Sequence, residues 1–138
     1  MLRMSFMPSD FHPIVLILGS RVELMAVADI LKTFAKDGVS KSLREENIFS
    51  TDTEVFLVEH KDQDGRKPGA WLVDKDTYKV EWRLTKDDAL HFSKEVEEFS
   101  NSEELANSLT LECEVLDEVR VKVSFGEWED HYLTNDLR

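Results

Sequence analysis

The chain is poor in the residues that usually announce chemistry: one cysteine, three prolines and five glycines in 138 positions. A lone thiol, Cys113, excludes an internal disulfide and fits a reducing compartment, so the expected location is cytoplasmic. With so few glycines there is no Gly-x-x-x-x-Gly-Lys and no Gly-x-Gly-x-x-Gly, which removes the common nucleotide cradles. No apolar run approaches the roughly 20 residues that cross a bilayer. Residues 1–10 lack the apolar stretch of a secretory signal, so no membrane association is expected. Cations are scarce as well, with 17 Lys and Arg against 29 Asp and Glu, for a net charge of −12. The imbalance is uneven: +2 over residues 1–44, −4 over 45–84 and −10 over 85–138. So acidic a C-terminal third repels phosphate backbones and argues against nucleic-acid binding. It suits a basic protein partner, or it simply keeps the protein soluble.

What is present is a scaffold. Ile14 to Leu18 is an unbroken apolar run of strand length, expected to be buried on both faces. Gly19 breaks it. Ser20 and Glu23 then form a capping box for a helix whose buried stripe is Leu24, Val27, Ala28, Leu31, Phe34 and Ala35. Gly38 is the expected stop. Residues 39–52 are polar and read as a surface loop, with Lys32, Lys36, Lys41 and Arg44 giving this end a basic patch. Val55 to Val58 is a second run apolar on both faces. Trp71 and Val73 mark a short strand, and Tyr78, Val80, Trp82 and Leu84 alternate with Lys79, Glu81 and Arg83 in another. Short turns between them suggest an antiparallel meander, with Trp71 and Trp82 in the core.

Thr85 caps a second helix with the stripe Ala89, Phe92, Val96 and Phe99. Two alternating strands follow, Leu109 to Val115 and Val119 to Phe125, in a hairpin that sets Glu112 and Glu114 against Arg120 and Lys122. The predicted fold is α+β, a single domain over 1–138 with residues 1–12 as a loose lead-in. Its order is β-α-β-β-β-α-β-β: a two-layer sandwich of a mostly antiparallel sheet with both helices on one face, a ferredoxin-like variant. A loose internal echo runs through it, because Leu16-Ile17-Leu18-Gly19-Ser20 entering helix one resembles Trp82-Arg83-Leu84-Thr85 entering helix two. The sheet's other face is expected to be charged and wet, or covered by a partner.

Little in the sequence points to catalysis. Leu18-Gly19-Ser20 offers one glycine and no lysine, so it reads as a structural turn. His12, His60, His91 and His131 are scattered; His91–Glu95 and Glu127–His131 are one-turn pairs that fall short of a metal site. Cys113 alternates inward with Leu111 and Val115 and reads as a core side chain. No catalytic residue, metal or cofactor is expected, and the chain is read as a non-enzyme. The stretch that stands out is Glu127, Trp128, Glu129, Asp130, His131 and Tyr132. Its aromatics could anchor a partner and its acids could steer a basic one; the alternative is that Trp128 and Tyr132 pack on the sheet.

The apolar strand into Leu18-Gly19-Ser20, then Leu24, Ala28, Leu31 and Ala35, then Glu54-Val55-Phe56-Leu57-Val58, resembles one group of small bacterial immunity proteins of contact-dependent or polymorphic toxin systems. The resemblance covers residues 14–60 and implies a protein that neutralises a basic toxin. The expected function is therefore a non-enzymatic acidic protein-binding module, immunity-like, with an exposed edge strand as a route to a homodimer. The alternative is a small-molecule-binding or regulatory domain with a pocket between sheet and helices.

Overall fold

The computed structural model describes residues 2–8, 13–51, 53–61, 65–103, 107–115 and 117–125. Eleven elements and one 3₁₀ turn follow in order: β1 (Leu2–Met7), β2 (Ile14–Leu18), α1 (Arg21–Asp37), β3 (Lys41–Ser42), the turn Leu43–Glu45, β4 (Phe49–Ser50), β5 (Glu54–Glu59), β6 (Gly69–Asp74), β7 (Lys79–Leu84), α2 (Lys86–Ser100), β8 (Asn107–Leu111) and β9 (Arg120–Phe125). The fold is α+β.

Both helices start and stop where local chemistry dictates. At α1 the Ser20 hydroxyl accepts from the Glu23 N–H, and Glu23 in turn accepts from the Ser20 N–H. Gly38 takes φ 64°, and its N–H donates to the Phe34 carbonyl. At α2 the Thr85 hydroxyl accepts from the Asp88 N–H. The stripes Leu24, Val27, Ala28, Leu31, Phe34 and Ala89, Phe92, Ser93, Val96, Phe99 are buried. Each residue of the first stripe is matched by one 65 positions on in the second. The helices meet at small residues, where the Ser93 hydroxyl donates to the Ala28 carbonyl at 2.7 Å. Those two positions are equivalent under the same 65-residue shift.

The strands repeat the pattern. β1 and β2 are an antiparallel hairpin before α1, and β6 and β7 are one before α2. Each half then sends strands into the other half's sheet, β3 and β5 from the first and β8 and β9 from the second, while β4 stays beside β1. β9 runs parallel to β2, in register from Ile14↔Arg120, and β5 runs parallel to β7, from Glu54↔Lys79. Sheet A is ordered β4-β1-β2-β9-β8 and sheet B β3-β5-β7-β6. Among the described residues a single bridge joins them, from the Val119 N–H to the Ala70 carbonyl at 2.7 Å. The internal echo is thus a repeated ββαββ unit with reciprocal exchange of strands.

The topology corrects several expectations. Instead of one mostly antiparallel sheet there are two, each with a parallel pair at its centre. Nor do residues 54–84 form a meander: β7 lies between β5 and β6. The reason is burial. Val55 and Leu57 on β5 and Val80, Trp82 and Leu84 on β7 are shielded, which suits central strands, while Val73 and Asp74 of β6 are exposed and suit an edge. Within the expected lead-in, Leu2–Met7 is a strand, with Leu2, Met4 and Phe6 in the core. The polar stretch 39–52 is anchored by buried Leu43 and Phe49, which turn it into two short strands and a 3₁₀ turn. Arg83, expected on a wet face, is only 4% exposed, its Nη1 held 2.9 Å from Glu81 Oε1.

Candidate binding clefts

Two clefts lie on the second half of the molecule. The first, of about 370 Å³, opens between α2 and the chain leaving β8. Helical spacing puts Asp88, His91 and Glu95 on one stripe of α2. Facing them are Thr110, Glu112, Cys113 and Glu114. His91 Nε2 pairs with Glu95 as an exposed one-turn pair, as the spacing predicts. Glu112 reaches Arg120 Nε at 3.1 Å, so the charge match expected across the hairpin is present in that pair. Cys113 lies past the end of β8, half-buried against the core. Burial pushes its thiol pKa up from 9.0 to about 12, helped by the charges of Asp88 and Glu118. A thiol held neutral in this way is a poor nucleophile. The carboxylates of Asp88, Glu95, Glu112 and Glu114 make the cleft acidic.

The second cleft, of about 480 Å³, lies on the face of sheet B turned away from the helices. Trp71, expected in the core, instead lines it together with Val73, Arg66, Lys67, Glu81, Arg83 and Asp117. Trp71 sits opposite Glu81 across the β6–β7 pair, and its Nε1 donates to the Lys67 and Pro68 carbonyls, each at 3.2 Å. Glu81 is clamped by two guanidiniums, Arg83 at 2.9 Å and Arg66 at 3.3 Å. Farther along the same face, Lys79 Nζ sits 4.7 Å from the Phe56 ring centroid, and Arg44 pairs with Glu54. The expectation of a charged outer face holds for this sheet, with aromatics set among the charges.

Trp82 is buried as expected, stacked near Phe92. Among the described residues no three His, Cys, Asp or Glu side chains are placed to hold a metal ion, and no helix is long and apolar enough to cross a membrane. Glu127, Trp128, Glu129, Asp130, His131 and Tyr132 lie outside the described residues. Sequence reasoning missed the acidic cleft, although the signal was there: the 88, 91, 95 stripe and the 112, 114 alternation both stand in the chain, and only the packing of α2 beside β8 brings them together. No protein-family model, curated protein or solved structure matches the chain.

Proposed function

We propose that this protein is a non-enzymatic binding module for a basic protein partner, held in the cytoplasm, and that its specific form is an immunity-type neutraliser of a basic toxin. The observation that carries the reading is the convergence of Asp88, Glu95, Glu112 and Glu114 on one cleft. Acidic surface of this kind speeds encounter with a basic partner and makes association depend on salt. Glu127 to Tyr132 belong to the same proposal as a further acidic and aromatic contact. In architecture the reading takes the paired helices as one layer packed on strands, with the outer face of sheet B left for contacts, and an edge strand as the route to a homodimer.

The test is capture of the partner from native cells, then titration with purified wild-type protein and with a Glu95→Lys, Glu112→Lys variant. Association should slow as salt rises, and the variant should bind at least tenfold more weakly, a loss of about 1.4 kcal/mol. Unchanged affinity in the variant with no salt dependence defeats the reading.

A second reading, a small-molecule or regulatory domain, is favoured by the Trp71 cleft, which combines an indole face with fixed cations. A thermal-shift screen with nucleotides and amino acids tests it. Stabilisation that disappears in Trp71→Ala supports this reading, and no stabilisation by any compound counts against it.

A further inference from the structure

The internal repeat serves as a control for the Trp71 cleft. Both halves build the same inward set, and their hairpins correspond position by position. On sheet A, Ser5 stands opposite Leu16, with Leu18 two residues farther along the strand. The matched positions on sheet B are Trp71, Glu81 and Arg83. A strand pair of this plan therefore needs neither an indole nor a charge at these places. Arg83 is also costly, since it is only 4% exposed and a shielded guanidinium must be paired. The construction of the fold does not explain the three residues, and they stand together in one cleft of about 480 Å³.

The cleft is shaped before any ligand arrives. The Trp71 indole N–H donates to the Lys67 and Pro68 carbonyls, each at 3.2 Å, which uses the ring's one polar group and holds it in place. The ring is left to offer apolar surface, and Val73 in the same cleft is 52% exposed. The charges divide into a fixed pair and a loose one. Arg83 Nη1 lies 2.9 Å from Glu81 Oε1, with its side chain almost wholly shielded. Arg66 reaches the same oxygen at 3.3 Å from a side chain that is 65% exposed. An exposed bridge of that length contributes little, so Arg66 can turn to a ligand while Arg83 keeps Glu81 neutralised. Arg66, Lys67 and Arg83 line the cleft against the carboxylates of Glu81 and Asp117. The site thus holds a single positive charge in excess, on a chain whose net charge is −12.

We propose that the Trp71 cleft binds an aromatic carboxylate, its ring laid against the Trp71 indole and Val73 and its carboxylate taken by Arg66. The inference rests on the small-molecule reading of this cleft and names the class of ligand. The guanidinium fork matches a carboxylate in geometry. The ligand's single charge matches the excess in the cleft. A phosphate monoester, with about 1.5 to 2 negative charges, would bring unbalanced charge close to Glu81 and Asp117. The volume suits a ligand of a few rings.

Titration of the full chain with naphthoate, naphthamide and naphthyl phosphate tests it, read at the Trp71 Nε1–H resonance in heteronuclear NMR spectra. The acid should bind about tenfold more tightly than the amide. It should also bind more tightly than the phosphate, and it should move the Trp71 signal while leaving that of buried Trp82 in place. Arg66→Gln, a change at an exposed side chain, should bring the acid down to the affinity of the amide, and Trp71→Ala should abolish binding of both. Acid and amide of equal affinity at Trp71 overturn the carboxylate assignment and leave the small-molecule reading standing. Tighter binding of the phosphate overturns it in the same way. A Trp71 resonance that no probe moves also overturns it, and the wider thermal-shift screen then decides the small-molecule reading separately.

Discussion

The two halves of this molecule share a backbone plan and differ in what they do with it. At matched positions the central strand of one carries Ile14, Leu16 and Leu18 on its outer face, and that of the other carries Lys79, Glu81 and Arg83. The cleft at the start of α1 is lined by Leu2, Ala26, Ile48, Glu23 and Asn47, and its counterpart at α2 by four acids, His91 and Cys113. What stays constant is the inward set: cap, stripe and parallel strand pair. What varies is the outward set, and the two charged clefts described above lie on the second half. A repeated scaffold with one plain and one decorated half teaches that the inward set is specified twice here and the charged outward set once.

The comparison breaks most sharply in the core. Trp82 and Ile17 occupy matched buried positions. Trp82→Ala should cost about 3–5 kcal/mol and Ile17→Ala about 2–5 kcal/mol in chemical denaturation. Because each half completes the other's sheet, each variant should lower one shared transition; two separate transitions would show that the halves fold independently. Gly69→Ala comes next. Gly69 sits at φ +106°, and an added Cβ would lie 2.3 Å from Glu118 Oε2. The matched position on β1 is Arg3, which tolerates a side chain, so the same plan is strained in one half only. A loss of about 1–3 kcal/mol is expected, and a stability equal to wild type would show that the β6 corner relaxes.

Smaller effects sharpen the match between the helices. Ser20→Ala and Thr85→Ala should each cost about 1 kcal/mol, with Ser20 the larger because Glu23 answers it reciprocally. Ser93→Ala, which removes the hydroxyl from the helix crossing, should also cost about 1 kcal/mol. Equal losses at both caps would mean that the capping box adds nothing. The last test, at Cys113, is one of pH dependence. Its folded thiol is raised above the unfolded value, so its contribution to stability is complete below pH 9.0 and declines as pH rises toward about 12. Cys113→Ala should flatten that part of the alkaline decline. Iodoacetamide should modify native Cys113 only slowly at pH 9; rapid modification there would show a thiol with an ordinary pKa.

Much of the scaffold was legible in the chain because it is local. The Ser20–Glu23 box, Gly38, Thr85 and the two helical stripes are written within a few residues of one another, and all form. Trp71 was misplaced because alternation shows that a strand has two faces without saying which one is covered. The parallel pairs were missed for a related reason. Val55 to Val58 and Ile14 to Leu18 read as central strands, but the partner of each lies in the other half of the chain, and no local signal names it. The acidic cleft required that same long-range knowledge, since α2 and the chain leaving β8 contribute one side each.

The exchange of strands also bears on synthesis. The β2 edge that β9 will occupy is made about a hundred residues before β9 itself. Until Phe125 has left the ribosome, β2, with its Ile-Val-Leu-Ile-Leu sequence, presents an unpaired apolar edge, a template for any other nascent strand nearby. The long separation between residues 18 and 120 thus lengthens the time for which this edge stands open during synthesis, a liability that the finished, paired sheet no longer shows.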